Sequence, residues 1–456
     1  MRCMRRFRQV LWSVLLLVAF GLPSLGAATY VVHFDEDFPL SAGPQVPDLL
    51  QRMLEQGISS AEVPQLAALA DQSFPGGMTI LMAACMGPTD AEVVSLLLDA
   101  GMDPRAEDEE GWDALCYAAS SDTDPIEKIG LLRKKGISLK RRRAMDWSVL
   151  DVAAYGGMPE TIAYLIDAGL KVNQRDKAGI TPLMYAAMAN SKASIQVLLD
   201  HGADVGSIDM QGMNAFLHAA SGNPDPSVLD QLARAGCRTD LVDKMGYDAL
   251  MHSIQGGWPM MMHMLFGGYP IDLRRVNKLG QNALLVAAAS DWNGEMLGVL
   301  LDLGCDRSLK DMEGNSLLMT AIKSGLGRNA IGLLLESGCD VDERDEDGTT
   351  PLLWALACET PDVLDLLQEG GADLFATDRE GAGAVFYAAS SGFLPALVWL
   401  DGQGVDWRMT DKKGATALMY AADSAYGSQS VVEFLLEKGI DPEAKDAYGT
   451  TALMYA

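Results

Sequence analysis

Apolar residues fall along this chain in short clusters of one kind, separated by polar turns rich in aspartate and glycine. The clearest unit is Asp176 to Ala187, D-K-A-G-I-T-P-L-M-Y-A-A, followed by a second apolar cluster and a glycine. Asp176 and Gly179 predict a tight turn, the carboxylate holding backbone N–H groups and the glycine supplying a positive φ. Thr181 is a helix N-cap, and Pro182 stands at the first helical position, where a missing N–H costs nothing. Leu183, Ala186 and Ala187 predict a thin apolar helix face whose small residues admit a neighbouring helix closely. A second helix carries Ile195, Val197, Leu198 and Leu199, and Gly202 ends it in a left-handed cap. Ala203 to Val205 then runs extended toward the next turn at Asp209. One turn and two short helices cannot bury a core, so the unit must stack on copies of itself.

The copies are present. Turn glycines stand at Gly77, Gly111, Gly179, Gly212, Gly246, Gly280, Gly314, Gly348, Gly381, Gly414 and Gly449, in steps of 33 to 35 residues with one double step of 68 after Gly111. A third repeat fills that gap, with Asp146 in the glycine place and Ser148 to Ala154 behind it. The pattern resembles the ankyrin-repeat family, whose D-x-x-G-x-T-P-L-H-x-A-A is matched closely at Asp176 to Ala187 and Asp345 to Ala355. The resemblance spans about five-sixths of the chain, residues 74–456, as eleven repeats and a truncated twelfth. It implies an all-α solenoid of stacked helix-turn-helix units with β-turn fingers. The family's usual His is replaced by Met82, Met184, Met251, Met319, Met419 and Met454, a departure that touches a structural hydrogen bond.

The two ends read differently. Residues 1–28 have the form of an export signal: Arg2, Arg5, Arg6 and Arg8, an apolar stretch from Val10 to Phe20, and small residues Gly26-Ala27-Ala28 for cleavage. Residues 29–73 are expected to cap the first repeat with two helices, from Pro47 to Gln56 and from Ser60 to Gln72, the second opened by Ser59 and Glu62. At the far end, Gly449 to Ala456 stops within a first helix, which suggests an incomplete reading frame. Losing the four arginines takes the formal charge of −27 to −31. So acidic a surface repels nucleic acid and anionic membranes, and favours solubility and cationic partners. No membrane association is expected after cleavage, and a monomer is expected.

Candidate chemistry is sparse. Six cysteines remain after cleavage; Cys237, Cys305 and Cys339 follow helix-ending glycines in matching places of their repeats. Stacking sets those places roughly 8–10 Å apart, beyond the ~7 Å reach of a disulfide, so thiols are expected. His218 and His252 take the place held by Tyr117, Tyr185, Tyr387 and Tyr420 elsewhere, which makes them aromatic replacements rather than metal ligands. Glu343 to Gly348 imitates a calcium loop but places Trp354 where a bidentate glutamate belongs. There is no G-x-S-x-G and no H-E-x-x-H, so no catalysis, cofactor or metal is expected. The basic run holding Lys140, Arg141, Arg142 and Arg143 aligns with Glu107 to Glu110 one turn earlier. Charge pairing between neighbouring turns is the first reading, and an anion-binding site the second.

The resemblance implies a protein partner, recognised by turn tips and the adjoining ends of the first helices. Trp112, Ile180, Met210, Met213, Met245, Tyr247, Leu279 and Met312 are apolar tip positions, whereas Glu346, Asp347, Arg379, Glu380, Lys412 and Lys413 are polar. Methionine and aromatic groups suit adaptable recognition. Partner contact is therefore expected on the apolar tips, with Tyr247 the anchor and Trp258 and Trp292 flanking it; side chains folding back on adjacent turns is the competing account. The expected protein is an exported, non-enzymatic scaffold, periplasmic or, second, extracellular. The alternative is the binding part of an enzyme or a host-directed factor whose further domain lies beyond Ala456.

Overall fold

The computed structural model describes residues 52–69, 73–143, 146–189, 191–290, 294–358, 360–424 and 428–456. The expected signal and Trp292 lie outside these residues. The chain divides into two compact units, Met1–Pro270 and Ile271–Ala456. Both are built from the same turn and helix pair, and among the described residues extended backbone pairs only as isolated bridges, such as Thr377 with Gly383 and Thr410 with Thr416.

In the first unit, residues 52–56 are helical and Val63–Ala67 follows. Ser59 donates its backbone N–H to Glu62 at 2.9 Å, closing the expected start signal. The structure ends this second helix at Ala67 rather than near Gln72. Six repeats follow, from Ile80–Met86 with Ala91–Asp99 to Ala249–Gln255 with Pro259–Gly268. Inner helices meet through alanine pairs with no exposure: Ala83 and Ala84, Ala153 and Ala154, Ala186 and Ala187, Ala219 and Ala220. Without longer side chains there, backbones approach closely enough for the next repeat to lie on the last. Outer helices bury pairs three residues apart, among them Val94 and Leu97, Ile129 and Leu132, and Ile195 and Leu198. That spacing gives one narrow apolar stripe, and only one side of each outer helix is sealed.

Two hydrogen-bonded seams join successive repeats. Along the fingers, a backbone N–H of one turn reaches a carbonyl of the turn before, as in Met210 to Ala178 at 2.8 Å and Lys244 to Gln211 at 2.7 Å. This seam explains Gly179, whose φ is +81° and whose absent Cβ would stand 3.2 Å from the Met210 nitrogen. Under the helices, a side chain of the next repeat caps the carbonyl end of an inner helix. Asn223 does so at Ala187, 2.6 Å, and Trp258 at Ser221, 3.0 Å. Lys128 performs the same task fully buried, donating to Cys85 and Gly87 carbonyls and Ser121 at 3.1–3.2 Å. Burial lowers its pKa, and the negative end of the helix dipole is a fitting place for it.

The second unit repeats the plan from Ala283–Ser290 with Glu295–Asp302 to Ala452–Tyr455. Its finger seam runs through Met312 to Leu279, Arg379 to Asp347, Lys412 to Glu380 and Ala447 to Lys413, at 2.7–3.0 Å. Among the described residues no helix is long and apolar enough to cross a membrane.

Candidate partner-binding surface

Most fingers are organised by a leading aspartate. Asp176 Oδ1 accepts the backbone N–H groups of Ala178 and Ile180, at 2.9 and 2.8 Å. Its other oxygen accepts the Tyr185 hydroxyl at 2.6 Å, nine residues on and inside the helix. Burial, and then the neighbouring carboxylate, push the Tyr185 hydroxyl far above the ordinary tyrosine range, so it stays a donor. The same clamp joins Asp209 to His218, Asp345 to Trp354, Asp378 to Tyr387, Asp411 to Tyr420 and Asp446 to Tyr455, at 2.8–3.0 Å. His252 Nε2 lies 3.2 Å from Asp243. His218 therefore takes the tyrosine's place in the clamp, and His252 stands in the same place beside Asp243.

Where the aspartate is missing, the donor is missing too. Phe74, Arg143 and Asn277 hold its place, and Ala83, Val152 and Val286 stand nine residues later. Both halves of the clamp are legible in the sequence, but only as a correlated pair across repeats. The methionines in the family's His place supply a weaker substitute of a different kind. Met82 and Met184 sulfur atoms accept the backbone N–H of Thr79 and Thr181, at 3.3 and 3.4 Å, and close the cap.

The clamp decides which tip residues face outward. Trp112, Ile180 and Tyr247 stand four places after the aspartate, each donating its N–H to Oδ1 at 2.8 Å. That bond turns their side chains back under the finger, and they are 5–6% exposed. Trp112 packs on Trp147 at 5.6 Å, and Tyr247 on His252 at 5.7 Å. Their expected exposure is thus corrected, and Tyr247 is a buried support rather than an exposed anchor. Met213, Met245, Leu279 and Trp258 are half-buried. Met210 and Met312, one place after the aspartate, are different. Their N–H groups bond to the preceding turn, so the side chains project outward, 59% and 70% exposed. Ile208 and Val276, one place before the aspartate or its asparagine substitute, are also open, at 46% and 47%. The sequence shows these two as apolar, yet their position in the finger is what reveals them.

The basic run is consumed internally. Arg143 is buried and donates to both oxygens of the fully buried Asp113 at 3.1 Å, with another bond to the Arg141 carbonyl at 2.7 Å. Arg141 pairs with Glu107 and lies 3.6 Å from Asp113. Arg142 donates to the Asp146 carbonyl at 2.8 Å and stands 3.8 Å from Asp151. Lys140 is exposed. The partners are mainly Asp113 and Asp151 inside the repeats, with Glu107 of the aligned acidic run pairing with Arg141.

The six cysteines at 85, 116, 237, 305, 339 and 358 are free thiols. Burial pushes Cys85 and Cys116 up to about 12, so both stay protonated and unreactive while folded. Cys237 and Cys305 are buried and Cys339 is half-buried.

A family model described as ankyrin repeats in three copies matches residues 45–143, 130–209, 150–229, 216–311, 285–378 and 385–456. The chain belongs to the ankyrin-repeat family. No curated protein matches it. An ankyrin array of this kind is a scaffold for protein–protein interaction, and its recognition chemistry lies in side chains that the shared framework does not use. In this ankyrin protein the framework leaves exposed the finger positions on either side of the leading aspartate, Ile208 and Met210 among them.

Proposed function

We propose that the protein is an exported ankyrin scaffold, without catalysis of its own, that binds another protein through its outward finger residues. The observation that carries this reading is the exposure of Ile208 and Met210 in the first unit and of Val276 and Met312 in the second. Each is a large apolar group left in water, Met210 and Met312 by the backbone bond to the preceding turn, and folding alone does not call for it. Met213 and Met245 border the first pair and would add adaptable contact area. The acidic surface suits a partner with basic groups around an apolar centre. The protein acts as a monomer in the periplasm, with an extracellular site of action second; the form of residues 1–28 supports export.

A photo-crosslinking residue at position 210 should capture one protein from the native envelope fraction, and the same residue at 412 should not. With that protein purified, Met210→Asp should weaken binding by about 1–2 kcal/mol and leave folding intact. Lys412→Ala should bind normally. Equal binding by both variants would remove the finger assignment. Sequencing the mature N-terminus from the envelope should give Thr29; an intact Met1 would remove the export signal.

A further inference from the structure

We propose that the outward face of the helix Pro259–Gly268 binds a soft monovalent metal ion, Cu(I) or Ag(I), through Met260, His263 and Met264. This helix reads P-M-M-M-H-M-L-F-G-G and carries no acidic or basic residue other than the histidine. Its inward stripe is Met261, Met262 and Leu265, each without exposure. The other side presents Met260, 65% exposed, with an exposed His263 and a half-buried Met264. Packing therefore accounts for two of the first three methionines and leaves Met260 unexplained.

Residues at i, i+3 and i+4 lie on one helix face with Cβ atoms about 5–6 Å apart, so two thioethers and an imidazole can converge on one ion. The corresponding first and second places on outer helices of the same unit are Glu160 and Ala163, or Ser227 and Asp230, an ordinary solvated face. Here they are a thioether and an imidazole. His263 makes no side-chain hydrogen bond or ion pair among the described residues, so a ring nitrogen is available as a ligand.

The donor set selects the ion. Thioether sulfur is soft and polarisable; it binds Cu(I) well and competes poorly for Mg²⁺, Ca²⁺ or Mn²⁺, which prefer oxygen. Zinc is normally held by thiolate, imidazole and carboxylate, and this face offers one such ligand. Among the described residues no group of three or more His, Cys, Asp or Glu is arranged to hold a metal. A thioether site is invisible to that pattern. The acidic chain, at −27, draws cations to its surface generally.

Ag(I) is the probe of choice, because it shares the ligand preference of Cu(I) without its redox chemistry. The full-length chain, labelled at methionine methyl groups, is titrated with Ag(I) to one equivalent and followed by NMR. The Met260 and Met264 methyl signals and the His263 ring signals should move together and saturate at one equivalent. The exposed Met210 and Met312 signals should stay in place. Met260→Leu and His263→Ala should each weaken binding at least tenfold with the circular dichroism unchanged. Silver taken up by the cysteines with the Met260 and Met264 signals unmoved would overturn the site. So would wild-type affinity in either variant.

Discussion

Repeats three and four are neighbours that solve the same problem in opposite ways. Repeat four holds its finger from within: Asp176 accepts two backbone N–H groups and a tyrosine hydroxyl, and Gly179 takes the left-handed position without strain. Repeat three has Arg143 in the aspartate place, and its side chain has no acceptor to offer the turn. Its guanidinium reaches back to Asp113 of repeat two, and Asp146 fills the glycine position at φ +65°. Asp151 occupies the cap position that Met184 fills next door; one of its oxygens bonds Ser148 and the other has no partner among the described residues. A finger held from inside is a local device. One held by the preceding repeat works only while both repeats are folded, so repeats two and three should open together.

The largest test of that difference is Arg143→Ala. It leaves the buried Asp113 side chain short of its main partner, which costs about 3–5 kcal/mol. Hydrogen exchange should show protection falling in repeats two and three together. Loss confined to repeat three would show that the guanidinium does not couple them.

Asp151 gives the next effect. Burial raises its carboxyl from 3.8 to about 7, against the lowering contributions of Ser148 and Arg142. Between those values the folded state binds more protons than the unfolded one. Stability of repeat three should therefore fall as pH rises from about 4 to 7, by an amount on the order of a few kcal/mol. Acidifying from pH 8 to 5.5 should restore it. Asp151→Asn should flatten this slope and stabilise the protein at pH 8; an unchanged slope would mean that Asp151 is not its source.

Tyr185→Phe removes the helical half of the clamp in repeat four. A hydrogen bond to a charged group contributes about 1.5–3 kcal/mol, so a loss on that scale should appear in urea unfolding. The exchange change should centre on the 176–187 finger, in contrast to the spread expected for Arg143. The smallest effect is Asp146→Gly, which relieves a left-handed aspartate at the expense of a freer unfolded chain. A gain of up to about 1 kcal/mol is expected in the same urea measurement. A loss would mean that the Asp146 side chain holds the turn by itself.

The period, the turns and the caps were legible because each is local. The side chain and backbone groups of Asp176, Gly179, Thr181 and Pro182 act within a few residues of one another, so their spacing alone specifies turn and helix start. Even the clamp reaches only nine residues, and Tyr185 could be matched to Asp176 by comparing repeats. The helices of the first repeat follow from the same reasoning, since Ala83, Ala84, Val94 and Leu97 recur in kind down the chain.

Exposure of the tips was another matter, because it depends on a repeat some thirty-three residues away. Trp112, Ile180 and Tyr247 look as apolar in sequence as Met210 and Met312, and all lie in turns. Stacking separates them: at the fourth place after the aspartate, where the N–H is bound to Oδ1, the first three side chains lie under the finger, whereas at the first place, where the N–H is bound to the preceding turn, Met210 and Met312 project outward. The basic run shows the same limit. Its place beside acidic residues was legible, but only the folded chain chose Asp113 as the partner of Arg143, since desolvation and geometry, not distance along the chain, decide which opposite charges meet.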